Sequence, residues 1–133
     1  MLQNPDRREL AAIFIGGAGG ALLRVWIGRE LGGAGDGWPW ATFLINVAGS
    51  LLLGYLVTRL QERLPQSTYP RPLLCTGFCG AFTTFSTMQV EILKMLEYDH
   101  YALAAGYAGA SVALGYLALG IATAAVRRTR AIA

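Results

Sequence analysis

The chain has 133 residues, 54% of them hydrophobic and only 14% charged, where a soluble domain carries roughly 25% charged residues. That balance excludes an aqueous globular domain and implies a single all-α membrane domain over 1–133. The net charge of +3 does not indicate nucleic acid, because the bases flank apolar stretches instead of forming a patch interleaved with aromatics.

The polar tail 1–8 leads into a first predicted helix over roughly 9–29. Arg7 and Arg8 before an apolar run look like the start of a signal peptide. Asp6 and Glu9 interrupt that basic region, and Arg24 follows Leu23 where a small-residue cleavage site would stand. The segment is expected to be retained as a helix. Its GGAGG stretch sets Gly16 and Gly20 four residues apart, a spacing that lets helices approach closely in lipid. The same letters make a weak nucleotide-binding loop, since no strand precedes them and no Lys-Ser/Thr follows. Arg24 has two readings. It snorkels toward the interface, or it attracts an anion at an entrance, since a fixed cation at a narrow point would trap the ion.

The GGAGDGWP stretch, 32–39, is turn chemistry. Trp38 and Trp40 suit the headgroup region, and Pro39 fits the first turn of a second helix over roughly 39–60. Thr42, Asn46 and Ser50 recur every four residues and share one face. Asn46 either makes an interhelical hydrogen bond or offers its neutral N–H donors to a passing anion.

A loop with three prolines, QERLPQSTYPRP, precedes a third segment over roughly 71–96. No charge occurs from Pro72 to Val90, yet GFCGAFTTFST, 77–87, holds two glycines and the hydroxyls of Thr83, Thr84, Ser86 and Thr87. Helix propensity is poor there, and hydroxyls satisfy freed backbone groups. Broken backbone at membrane depth requires cover by protein or water. Freed carbonyls would then suit a Na⁺-like ion, and freed N–H groups with hydroxyls would suit an anion. The alternative is an unbroken helix with a polar seam, and periodicity leaves both open. Phenylalanine ring edges add a weak attraction for an anion. Cys75 and Cys79, four apart on one segment, do not form a redox motif and read as small packing residues.

After EYDH, 97–100, a fourth helix runs over roughly 101–126. Ala105, Gly109 and Ala113 give it a small-residue face, and Tyr107 and Ser111 lie four apart. Four crossings put both termini on one side. That side carries Arg7, Arg8, Arg59, Arg63, Arg71, Arg127, Arg128 and Arg130, against Arg29 and Lys94 on the other. The positive-inside rule therefore places the termini in the cytoplasm. No nucleophile–base set or metal-ligand cluster points to an enzyme.

Together, GFCGAFTTFST, the FLINVAGS of helix 2, the YAGAS of helix 4 and the GALLR of helix 1 resemble the Fluc family of fluoride channels, also called CrcB proteins. The resemblance covers nearly the whole chain. It implies four transmembrane helices, the third broken near its middle, in a multi-pass protein of the cell inner membrane. It implies a passive, fluoride-selective channel that exports toxic fluoride and works as an antiparallel, dual-topology dimer with two pores. On the matching positions it implies that Asn46 is a fluoride-pathway amide and Phe85 the first of two pore phenylalanines. Met88 stands where the second would be, a departure, because a thioether fills space but lacks a ring edge. A polar track resembles Thr42, Ser86, Thr87, Tyr107 and Ser111, with Glu91 near its end and Arg24 at a vestibule. A structural Na⁺ would be held by the backbone carbonyls of Gly80 and Thr83 from both subunits. The base distribution favours one orientation, so the partner is a second copy in opposite orientation or an oppositely biased paralogue, and the resemblance favours the second copy. Two rivals remain. A proton-coupled antiporter would need a deeply buried acid, and Glu91 lies late in segment 3. A non-transporting scaffold would use Asn46 and the third segment for packing alone.

Overall fold

The computed structural model describes residues 6–32, 37–63 and 69–132. Parts of the expected tail, of the 32–39 turn and of the proline loop fall on 1–5, 33–36 and 64–68, outside the described residues. Helix α1, Arg7–Leu31, starts at Asp6, whose carboxylate accepts the Arg8 backbone N–H at 3.0 Å and so caps one of the open donors of the first turn. Helix α2, Trp40–Arg63, begins when the Phe43 N–H reaches the Pro39 carbonyl at 3.1 Å. Helix α3 opens with wide π turns over Pro72–Cys79 and closes with one α turn, Gly80–Phe82. Helix α4, Phe85–Glu97, and helix α5, Tyr101–Ile132, complete the chain. No strand occurs among the described residues.

Three helices are long and apolar enough to cross a membrane: Arg7–Leu31, Trp40–Glu62 within α2, and Tyr101–Thr129 within α5. The third segment is not one continuous helix. Thr83 (ψ 154°) and Thr84 (φ −145°, ψ 115°) are extended and separate α3 from α4.

Close packing in lipid depends on small side chains, because apolar burial no longer drives helices together. The GGAGG stretch works this way. A Cβ on Gly16 would run into the Leu73 carbonyl, and one on Gly20 into the Phe78 carbonyl. Leu73 and Phe78 are five residues apart, one π turn, and this step matches the four-residue step from Gly16 to Gly20. The π winding thus presents successive backbone carbonyls of α3 to successive glycines of α1, with the two helices parallel. Helices α2 and α5 are also parallel: Gly54 meets the Leu119 backbone, and one turn later the Thr58 hydroxyl lies 3.3 Å from that of Thr123.

The α4–α5 reversal uses Asp99 in the left-handed region, φ 59°. The His100 N–H reaches back to the Met95 carbonyl at 2.8 Å, and the Asp99 N–H to that of Leu96 at 3.2 Å. This is the double closure of a Schellman motif with aspartate in the place usually taken by glycine. It folds α5 back along α4 and sets Tyr107 beside Met88 and Met95 in a buried cluster with Phe43 and Ala104.

Gly20→Ala should therefore cost about 1–3 kcal/mol of stability, because backbone must move to admit the methyl group. Gly28, with nothing within 4 Å of its would-be Cβ, should accept Ala neutrally or with a gain of up to about 1 kcal/mol. Reversible unfolding in mixed micelles measures both.

Candidate functional site

The break is organised by Asn46. Its Oδ1 accepts the Thr84 backbone N–H at 2.8 Å, and its Nδ2 donates to the Thr84 backbone carbonyl at 2.9 Å. Only an extended residue turns its N–H and C=O to the same side, as it does toward a neighbouring strand. The amide thus stands in for a strand edge and selects the extended state of Thr84. One turn further along α2, Gly49 leaves room for Thr83, whose Cγ2 would meet any Cβ placed there.

Thr84 also caps α4. Its Oγ1 accepts the Thr87 N–H at 3.2 Å and donates to Thr87 Oγ1 at 3.0 Å. Ser86 Oγ lies 3.4 Å from the same oxygen. Since Thr87 Oγ1 accepts from Thr84, its own proton remains to be donated. Ser86 and Thr87 are exposed at the N–H end of α4, where the helix dipole is positive.

Diversion of these N–H groups determines which carbonyls lose helical partners. In a continuous α-helix Thr84 N–H would bond the Gly80 carbonyl, and Thr87 N–H that of Thr83. Here the first goes to Asn46 and the second to the Thr84 hydroxyl. The Thr83 N–H and hydroxyl both go to Cys79, at 3.1 and 3.0 Å. Gly80 and Thr83 are thus among the four carbonyls, residues 80–83, that the break removes from the i→i+4 ladder. Gly80 is exposed and Thr83 half-buried.

Further along α4, Glu91 ties three helices together. Thr42 of α2 donates its hydroxyl proton to Oε1 at 2.7 Å, and Tyr107 of α5 donates to Oε2 at 2.7 Å. Tyr107 is fully buried, 0% exposed, with Trp38 edge-on at 5.4 Å between centroids. Thr42 and Asn46 thus both turn toward the α4 side of the break. Ser50, on the same face, instead donates to the Asn46 backbone carbonyl at 2.8 Å.

The remaining predicted residues divide between core and surface. Phe85 is 70% exposed, and Met88, one turn later, is buried in the Tyr107 cluster. Ser111 is buried, and its Oγ has no hydrogen-bond partner among the described residues, as is true of Trp38 Nε1. Arg24 is half-exposed, one turn past Gly20 on α1. Thr84 and Gly49 are the residues that sequence reasoning missed. A threonine followed three positions later by a hydroxyl, ahead of the run MQVEIL, is a legible N-cap signal for Thr84. Nothing local distinguishes Gly49 from the other glycines.

The described residues thus form a helical membrane protein whose interrupted helix is held open by a side-chain amide. The family model described as CrcB-like protein, Camphor Resistance (CrcB), matches residues 11–123, and the chain belongs to that family. It is 58% identical over 125 residues to the fluoride-specific ion channel FluC 1 of Mycolicibacterium paratuberculosis, covering 94% of this chain and 95% of that protein. It is 54% identical over 129 residues to FluC 1 of Mycobacterium tuberculosis, covering 97% and 98%. The FluC of Bordetella pertussis is 45% identical over 114 residues, covering 84% and 88%.

Tyr107→Phe should destabilise the protein by about 1.5–3 kcal/mol, the value of a hydrogen bond to a charged group. Glu91→Gln should cost less in the Tyr107→Phe background than in the wild type. A double-mutant cycle by unfolding in micelles should give a coupling of about 1 kcal/mol or more.

Proposed function

We propose that this chain is the subunit of a passive, fluoride-selective channel that exports fluoride and lowers its cytoplasmic toxicity. The observation that carries this reading is the break, supported by the names of the relatives. A single interruption gives a carbonyl end and an N–H end at adjacent positions, so one locus offers sites of opposite sign.

Fluoride is small and strongly hydrated, and a selective path must replace its water with donors. The neutral donors that fit are the second Nδ2 hydrogen of Asn46, the hydroxyls of Ser86 and Thr87, and the Ser111 hydroxyl. Neutral donors bind an anion without the tenacity of a fixed charge. Phe85 lines the path where a ring edge faces an anion, Met88 fills the space behind it, and Arg24 draws anions to a vestibule. Tyr107, Thr42 and Glu91 continue the polar track.

The carbonyls of Gly80 and Thr83 fit a structural Na⁺, because oxygen ligands suit a hard cation and the break has taken both out of the helical ladder. When bound, Na⁺ supplies a positive charge that gathers carbonyls from two subunits. In this reading the dimer pairs two copies in opposite orientation, and the exposure of Phe85, Ser86 and Thr87 supports their being covered by a partner. In this reading α3 and α4 together make the third of four crossings of the inner membrane.

Liposomes containing the purified product of this one gene should release fluoride, read with a fluoride electrode, with no proton gradient and without comparable chloride release. Equal chloride release, or a requirement for a proton gradient, refutes the reading. Asn46→Ala should lower fluoride flux at least about tenfold, as expected for one lost hydrogen bond to a charged group.

A further inference from the structure

We propose that Asn46 is a positioning residue for the cation site: its Oδ1 takes the Thr84 N–H and so keeps the Gly80 carbonyl open to Na⁺. The proposal rests on the reading of Na⁺ at the break. Thr84 is 6% exposed, so its N–H must find an acceptor within the protein. Two are within reach of its backbone. One is Asn46 Oδ1, which holds it at 2.8 Å. The other is the Gly80 carbonyl, its partner in a continuous α-helix. The two choices exclude each other. A helical Thr84 would point its N–H and C=O in opposite directions along the axis, and the Asn46 amide could not engage both. Removing the amide therefore does more than empty a space on α2. It hands the N–H back to Gly80, rewinds α3 toward α4 and occupies the carbonyl that would face the cation.

The arrangement also couples the two ions. Asn46 Nδ2 keeps one hydrogen beyond the one given to the Thr84 carbonyl, and that hydrogen is the donor available to an anion. The side chain that would meet fluoride is thus the one that holds open the Na⁺ ligand, with Thr84 as the link. By linkage, whatever strengthens the Asn46–Thr84 pair strengthens cation binding.

The test uses the purified full-length protein in detergent, with Na⁺ exchanged for K⁺ at constant ionic strength, and obtains the midpoint for Na⁺ binding from the concentration at which the unfolding temperature starts to rise. A merely structural loss lowers the unfolding temperature at all Na⁺ concentrations but leaves the midpoint in place. Asn46→Ala is expected to move the midpoint at least about tenfold higher. An unmoved midpoint in Asn46→Ala overturns the proposal and leaves Na⁺ binding intact. Absence of any preference for Na⁺ over K⁺ in the wild type removes the Na⁺ reading and the proposal with it, while liposome flux still reports separately on the channel. If Asn46→Ala yields no folded protein, hydrogen exchange decides the matter in the wild type. Na⁺ is expected to slow exchange of the Thr84 amide at least about fivefold relative to K⁺, and unchanged exchange overturns the proposal.

Discussion

The structure depends on one planar amide meeting one extended residue. Asn46 bonds both backbone groups of Thr84, and each consequence at the break follows from that pairing. Thr84, held extended, is in the conformation of a helix N-cap and starts α4 with its own hydroxyl. With α4 started there, Glu91 falls two turns later, where Thr42 of α2 and Tyr107 of α5 reach its two oxygens. Gly49 supplies the clearance that lets α2 come this close. A buried backbone N–H and C=O left without partners would each cost about 1–3 kcal/mol. The amide removes both costs at once, which is how an interrupted helix persists in an apolar setting.

Around the break the helices are held mainly by proximity of backbones. The exterior is apolar, with Phe14, Leu22, Trp26, Val112 and Tyr116 all more than half exposed, as suits a chain whose solvent is lipid. Attraction between helices must then come from packing and from polar pairs. The parallel pairs α1–α3 and α2–α5 both use glycine against a neighbouring backbone, and the second adds the facing threonines Thr58 and Thr123. Thr58 and Thr123 each give their one proton to the carbonyl four residues back, at 2.7 and 2.9 Å, so the 3.3 Å approach of their oxygens is a packing contact that leaves no donor open.

Much of this was legible from residue order, and the rest was hidden for identifiable reasons. The apolar stretches located α1, α2 and α5 to within a few residues at their starts, because lipid imposes a length and a composition on any helix that crosses it. The Gly16–Gly20 spacing announced a close approach, but the partner could not be read, because a π-wound neighbour has no sequence period of its own. Around Thr83 and Thr84 the letters permitted a break or a polar seam. The deciding group was Asn46, 38 residues earlier in the chain, and no local pattern records such a contact. The α4–α5 turn was read only as short and polar, because Asp99 takes the left-handed position without the glycine that usually marks it. For Asn46 the structure gives the interhelical reading of its amide in full and leaves one hydrogen for the other reading.

The hydroxyls of the track differ in where their protons go. Thr42 and Tyr107 each have a single proton, and both are directed at Glu91. An anion at either oxygen would have to draw that proton away from a carboxyl group, giving up a bond worth about 1.5–3 kcal/mol. Ser111 has no such engagement among the described residues, since its Oγ is buried without a partner there, and an uncompensated buried hydroxyl is itself unfavourable until something accepts from it. Thr87 is intermediate, with its oxygen used by Thr84 and its proton open. On the proposed reading, the open protons for fluoride are therefore those of Asn46, Thr87 and Ser111. The pair at Glu91 serves first to fix α4 and α5 to α2, and only an anion that competes with a carboxylate for a hydroxyl proton would recruit it. Fluoride is the halide with the strongest claim as such an acceptor, so an arrangement that holds back two of its donors can itself act against weaker anions.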